Sequence, residues 1–173
     1  MPADDAAALP TILDLEASGF GRGSYPIEVG FVQASGLPFC SLIRPAPEWQ
    51  HWDESAQSLH GISRELLQRH GRPAEWVAQE INQRLAGQTV YCDGWGHDYA
   101  WMARLFDAVG MVQRFRLEDL RRLLNEEEAA RWQPTLQQVR AEAQLQRHRA
   151  SADARVLQLT LQRVKAPRHQ AAA

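Results

Sequence analysis

Three short extended runs fall within the first forty-three residues, and the turns between them are too short for a helical crossover. Thr11–Glu16 is closed by Gly19, Gly21 and Gly23, and Ile27–Val32 alternates with a period of two. A third run, near Phe39–Ile43, stops at Pro45 and Pro47. Parallel pairing needs a crossover of a dozen or more residues, so these runs predict an antiparallel meander. The pattern then changes. Ser63–His70 and Pro73–Leu85 read as helices, with Pro73 near the start of the second, where proline is tolerated. Thr89–Cys92 reads as a short strand, followed by a Gly-Trp-Gly turn and a helix from about Asp98 to Val109. An extended piece at Phe115–Leu117 leads into helices near Glu118–Leu124 and Thr135–Gln146, and a last helix is expected over Ala152–Val164. Strands first, then strands alternating with helices, give an α/β fold with a mixed sheet flanked by helices.

The 173 residues suit one domain, expected over 9–166, with loose tails at 1–8 and 167–173. A hydrophobic content of 45% excludes a mainly disordered chain. The net charge of −2 shows no global positive field for nucleic acid, although a carboxylate metal site would lower that charge while creating a local place for phosphate. Cys40 and Cys92 lie far apart, with no disulfide framework, which points to a reducing compartment. Asp4 and Asp5 occupy the stretch where a signal peptide would be basic, and no apolar run is long enough for a membrane span. A cytoplasmic protein with no membrane partner is expected.

Asp14 and Glu16 interrupt an otherwise apolar strand. Two positions apart, they leave it on one face, about 6.6 Å from each other along the chain. Like charges there repel, and burying either one unpaired is costly. Either both reach water or an arginine at a sheet edge, or a divalent cation neutralises them. Oxygen donors of this kind suit magnesium or manganese. Asp98 follows the Thr89–Cys92 strand and its turn, at a helix start where a capping or dipole-favoured Asp is common. In His148–Asp153, Ser151 can cap the last helix, leaving Asp153 in its first turn and His148 on the preceding loop. A surface histidine beside an N-terminal acid has the same pattern. His51, His60, His70 and His169 have no acidic partner at a useful spacing, and His97 should diverge from Asp98.

Taken in order, Asp-x-Glu on the first strand, Asp after a later strand and His-x4-Asp at the last helix resemble the DEDDh group of 3′-5′ exonucleases. That group includes the proofreading exonuclease of bacterial DNA polymerase III, oligoribonuclease and ribonuclease T. The likeness runs from about Thr11 to Val164. It includes Ile12-Leu13-Asp14-Leu15-Glu16-Ala17-Ser18-Gly19, then Tyr25-Pro26-Ile27-Glu28-Val29-Gly30, and Leu59-His60-Gly61-Ile62-Ser63. The middle motif, Asp93-Gly94-Trp95-Gly96-His97-Asp98, departs from the pattern: Gly94 stands where Asn is common and His97 where Phe is common. Asp98 fits best because Tyr99–Leu105 continues as the expected helix. Asp93 remains a rival ligand or a second acid near the scissile phosphate.

The resemblance implies a ribonuclease H-like fold with a mixed five-stranded sheet. It also implies hydrolysis at the 3′ end of single-stranded nucleic acid or a short oligonucleotide, releasing nucleoside 5′-monophosphates. Two ions per site, Mg2+ or Mn2+, would be held by Asp14, Glu16, Asp98 and Asp153, with Asp14 shared between them. His148 would take the proton from the attacking water. Paired cations suit this chemistry because both the entering and the leaving oxygen develop negative charge. Ala17, Ser18, Phe20 and Trp95 would contact substrate, Phe20 by stacking on the terminal base or else closing the strand end as a core residue. Trp76 and Trp101 have apolar neighbours at helical spacing and are expected in the core. Glu28 is expected to be a buried structural acid with a hydrogen-bond partner. Arg22, Arg147 and Arg149 lie near the motifs, either as backbone contacts or as solvated residues. Oligoribonuclease-like and ribonuclease-T-like relatives pair, so a homodimer is one expectation. The competing functions are a non-catalytic module that binds nucleic-acid ends or a polymerase, and a small metal-dependent phosphatase.

Overall fold

The computed structural model describes residues 9–144 and 148–166; the expected tails and Arg147 lie outside the described residues. Strands β1 (Ile12–Ala17), β2 (Pro26–Val32) and β3 (Pro38–Leu42) form the expected antiparallel meander. Helices α1 (Glu54–His60), α2 (Arg64–His70) and α3 (Ala74–Leu85) follow. Then come β4 (Thr89–Cys92), α4 (Trp95–Ala108), β5 (Arg116–Asp119), a 3-10 turn at Leu120–Leu123, α5 (Glu126–Ala143) and α6 (Ala150–Lys165). The sheet order is β3-β2-β1-β4-β5, and β4 runs parallel to both of its neighbours. This is a mixed five-stranded α/β sheet with helices on both faces, a ribonuclease H-like fold. Among the described residues, no helix is long and apolar enough to cross a membrane.

The central strands separate two apolar layers. Leu13, Leu15 and Ala17 of β1, with Ile27, Val29 and Phe31 of β2, pack against the α2–α4 side, including Leu67, Ile81 and Met102. The opposite face carries Ile12 and Val32, which pack with Trp132, Leu136, Leu157 and Leu161 of α5 and α6. Asp14 and Glu16 share that second face and continue it towards the C-terminal end of β1.

Several elements differ from their sequence-based boundaries. Helix α1 carries little apolar periodicity and is not anticipated. It is held by its ends, with Asp53 accepting from the Ser55 N–H and Gly61 closing it in the left-handed region. Helix α4 begins at Trp95, so Gly94-Trp95-Gly96 is the helix entry and Asp98 lies in the first turn. Glu118 and Asp119 extend β5 where a helix was expected. Helix α5 starts far earlier than Thr135, behind a capping box in which Asn125 and Glu128 satisfy each other's backbone N–H groups. It runs through Pro134. Helix α6 starts at Ala150, and no side chain of its N-cap residue, Arg149, closes it, so the expected Ser151 cap is absent.

Candidate active site

A cleft of about 400 Å3 opens beside the C-terminal ends of β1 and β4. Four segments distant in sequence meet there. Strand β1 brings Asp14 and Glu16, α4 brings Asp98 in its first turn, the loop before α6 brings His148, and α6 itself brings Asp153. One ligand atom from each of Glu16, His148 and Asp153 lies within 4.8 Å of the other two.

The electrostatics are those of crowded carboxylates in poor solvent. Burial raises the Asp14 carboxyl well above the usual range, and Asp98, Glu16, Asp153 and Glu28 push it further. Burial also drives Glu16 up to about 8, reinforced by Asp153, Glu28 and Asp98 and opposed by Arg149. Asp98, only 3% exposed, is pushed up to about 7 by burial, with the Cys92 thiol and the Gly94 backbone acting the other way. Asp153 is raised by burial and drawn back by His148 and Arg140. The Oδ2 atom of Asp98 and the Oδ1 atom of Asp93 are buried without a hydrogen-bond partner among the described residues. Each of these acids keeps one oxygen unmet, and a cluster of crowded carboxylate oxygens fits a hard divalent cation.

Asp153 reaches this cluster because two features of β2 draw the start of α6 onto the sheet. A Cβ on Gly30 would collide with the backbone of Ala150 and Ser151, so glycine permits the contact. Glu28, fully buried, accepts from Arg149 Nε at 3.0 Å, Arg149 Nη2 at 2.7 Å and the Ala150 N–H at 2.9 Å. Glu28 is therefore the structural acid the sequence suggested, and it serves as the cap that Ser151 does not. His148 immediately precedes this anchor with φ at 57°, in the left-handed region disfavoured for non-glycine residues. Strain of that kind is tolerated where the surroundings fix a side chain in place.

The expected substrate contacts separate. Ala17 and Phe20 line the cleft. Phe20 is 63% exposed, so it is no core residue; its ring meets His97 edge-on at 5.0 Å. Ser18 is buried, and its hydroxyl is engaged by His51 Nδ1 and the Tyr25 N–H. It holds the loop after β1. Trp95 stands outside the cleft lining, with its indole N–H on the Leu117 carbonyl and its ring beside Tyr99. Trp101 is buried as expected yet also edges the cleft, whereas Trp76 is 38% exposed beneath Arg72, contrary to its expected core position. Of the arginines near the motifs, Arg149 is bound to Glu28 and Arg22 is exposed. Sequence reasoning missed Arg140 of α5 as a cleft residue. It gave His60 no role beyond its place in the Leu59–Ser63 segment, yet His60 lines the cleft and its Nδ1 accepts from the Ile62 N–H.

No family model and no curated protein matches the chain in sequence. Solved structures do match it in shape. The zinc-bound complex of Escherichia coli exonuclease I with single-stranded DNA superposes with a TM-score of 0.70 at 15% identity, over 90% of this chain and 40% of that one. The fold is shared with exonuclease I. A complex of the E. coli enzyme with a dT13 oligonucleotide gives a TM-score of 0.68 at 14% identity, over 90% of this chain and 41% of that one. The moderately thermophilic exonuclease I of Methylocaldum szegediense gives 0.66 at 15% identity, over 90% and 40%. The chain thus spans about 40% of the length of the exonuclease I structures it matches.

Proposed function

We propose that this protein is a metal-dependent 3′-5′ exonuclease acting on single-stranded DNA or short oligonucleotides. The observation that carries the reading is the meeting of Asp14, Glu16, Asp98 and Asp153 with His148 in one cleft, with a buried Asp98 oxygen that has no partner among the described residues. A module that only binds nucleic-acid ends has no physical use for a buried acidic cluster that repels phosphate. The exonuclease I structures carry single-stranded oligonucleotides, which favours that substrate for the first test.

Asp14, Glu16, Asp98 and Asp153 would hold two ions, Mg2+ or Mn2+, which when bound lower the pKa of water and stabilise charge on the entering and leaving oxygens. A ring nitrogen of His148 accepts the proton of the attacking water, within reach of Glu16 and Asp153. Phe20 offers an exposed ring for the terminal base. Glu28 and Arg149 keep Asp153 in position without touching substrate. Single-stranded DNA and RNA labelled at either end, with Mg2+ or Mn2+, supply the test. Stepwise release of 5′-mononucleotides from the 3′ end, abolished in Asp14→Asn, is the expected result. Wild-type rates in that variant, or hydrolysis of a simple aryl phosphodiester but not of an oligonucleotide, would remove the assignment.

A further inference from the structure

The arginines around the cleft have different obligations. Arg149 is spent on Glu28, Arg122 holds Glu118 at 2.8 Å, and the Arg121 Nε lies 3.9 Å from Asp93 Oδ1. Among the described residues, Arg140 is the one arginine that contributes to the cleft lining, and it has no hydrogen bond or ion pair within 4.0 Å. Its Nε–H is buried with no acceptor there. It stands on the side of Asp153 and Asp93, since its charge draws both carboxyls down. A half-buried guanidinium without an acceptor is a poor structural element, because an unmet buried donor loses its hydration and gains nothing in return. It is a good receptor for a tetrahedral anion, whose oxygens match its fork of N–H groups.

We propose that Arg140 binds the scissile phosphate, donating N–H groups to a non-bridging oxygen. This rests on the exonuclease reading and adds to it a residue that lies in no motif of the chain. Two divalent ions balance Asp14, Glu16, Asp98 and Asp153, and Arg121 faces Asp93, so the charge of Arg140 is left for a phosphate that approaches the cleft. Breaking the bond between phosphorus and the 3′ oxygen of the penultimate nucleotide leaves that phosphate on the released nucleotide, so the product reports the contact without any turnover.

The test is calorimetric titration of thymidine 5′-monophosphate and of thymidine into wild-type, Arg140→Gln and Arg140→Lys proteins with saturating Mn2+. Arg140→Gln is expected to weaken the monophosphate about ten-fold or more and to leave thymidine within about two-fold, as loss of a charge-assisted hydrogen bond dictates. Arg140→Lys keeps the charge but not the fork, and recovers part of the affinity. It carries the same test should Arg140→Gln melt early. Unchanged monophosphate binding in the variants, or equal weakening of both ligands, would overturn the proposal and leave the exonuclease reading standing. A wild-type protein that bound monophosphate no better than thymidine would instead sink both.

Discussion

The two faces of β1 and β2 are built from alternate residues of the same twelve or so positions, and they have opposite characters. On the α2–α4 side, Leu13, Leu15, Ile27, Val29 and Phe31 are buried among apolar neighbours. On the α5–α6 side, the paired positions are Ile12 with Val32, Asp14 with Gly30, and Glu16 with Glu28. The second face therefore passes from apolar to acidic within four residues, and its one small residue is where α6 lands. Direct opposition of Glu16 and Glu28 is unfavourable in a sheet, and Arg149 offsets it by binding Glu28. A register shift between Glu16 and Ala17 ends the regular pairing beside the cleft, a common place for a bulge next to a site. One face stabilises the fold, and the other gives up stability to hold charge.

Neighbouring residues test that division most sharply. Glu16→Gln should lower metal-dependent hydrolysis by about 10²–10³-fold while the protein still melts cooperatively, measured by single-turnover cleavage and circular dichroism. Leu15→Ala, one position away, should destabilise by about 2–5 kcal/mol in denaturant unfolding, through the cavity left between β1 and the α2–α4 layer. Equal damage to stability from both would mean the faces do not divide the work. Gly30→Ala should cost about 1–3 kcal/mol by lifting the start of α6, and should lower activity because Asp153 moves with it. An alanine there that leaves both unchanged would show that the close approach is not needed.

Two smaller effects concern the acidic face alone. Glu28→Gln should lower stability by about 1–3 kcal/mol, since Arg149 loses a charged partner, and urea unfolding would measure it. The metal-free protein should melt at lower temperature as the pH rises from about 5 to about 8. Glu16 and Asp98, raised to about 8 and about 7, keep protons when folded that the unfolded chain has already released, so stability falls with pH across that window. Mn2+ should reverse the fall, and Glu16→Gln should flatten it. A melting temperature that rises with pH in the metal-free protein would show that these acids are not crowded.

The meander and α6 were legible because their signals are local: period-two alternation, Gly and Pro turns, and a long amphipathic run. Helix α1 was not legible, because it is set by Asp53 and Gly61 at its ends rather than by an apolar face. Helix α5 was read short although its Asn125-x-x-Glu128 box was present, and the helix continues through Pro134. Asp14, Glu16, His148 and Asp153 were singled out by their order and by the resemblance to the DEDDh group, and all four line one cleft. Asp98 stood beside Asp93 as a rival, and both line the cleft. Of the expected substrate contacts, Ser18 is engaged by His51 and the Tyr25 N–H, and Trp95 lies outside the cleft lining with its indole N–H on Leu117. Proximity in sequence to a motif says nothing about which hydrogen bonds a side chain has already formed.

Composition and spacing alone established the α/β class, the antiparallel opening, and a set of acids that a folded chain would not bury without a reason. Only the tertiary structure decided that Asp93, Asp98 and Arg140 share the cleft, that Glu28 and Gly30 seat α6, and that Phe20 faces solvent. The physical reason is range. Strand and helix signals arise between residues a few positions apart, whereas the site depends on packing between segments more than a hundred residues apart, where burial and charge act through space.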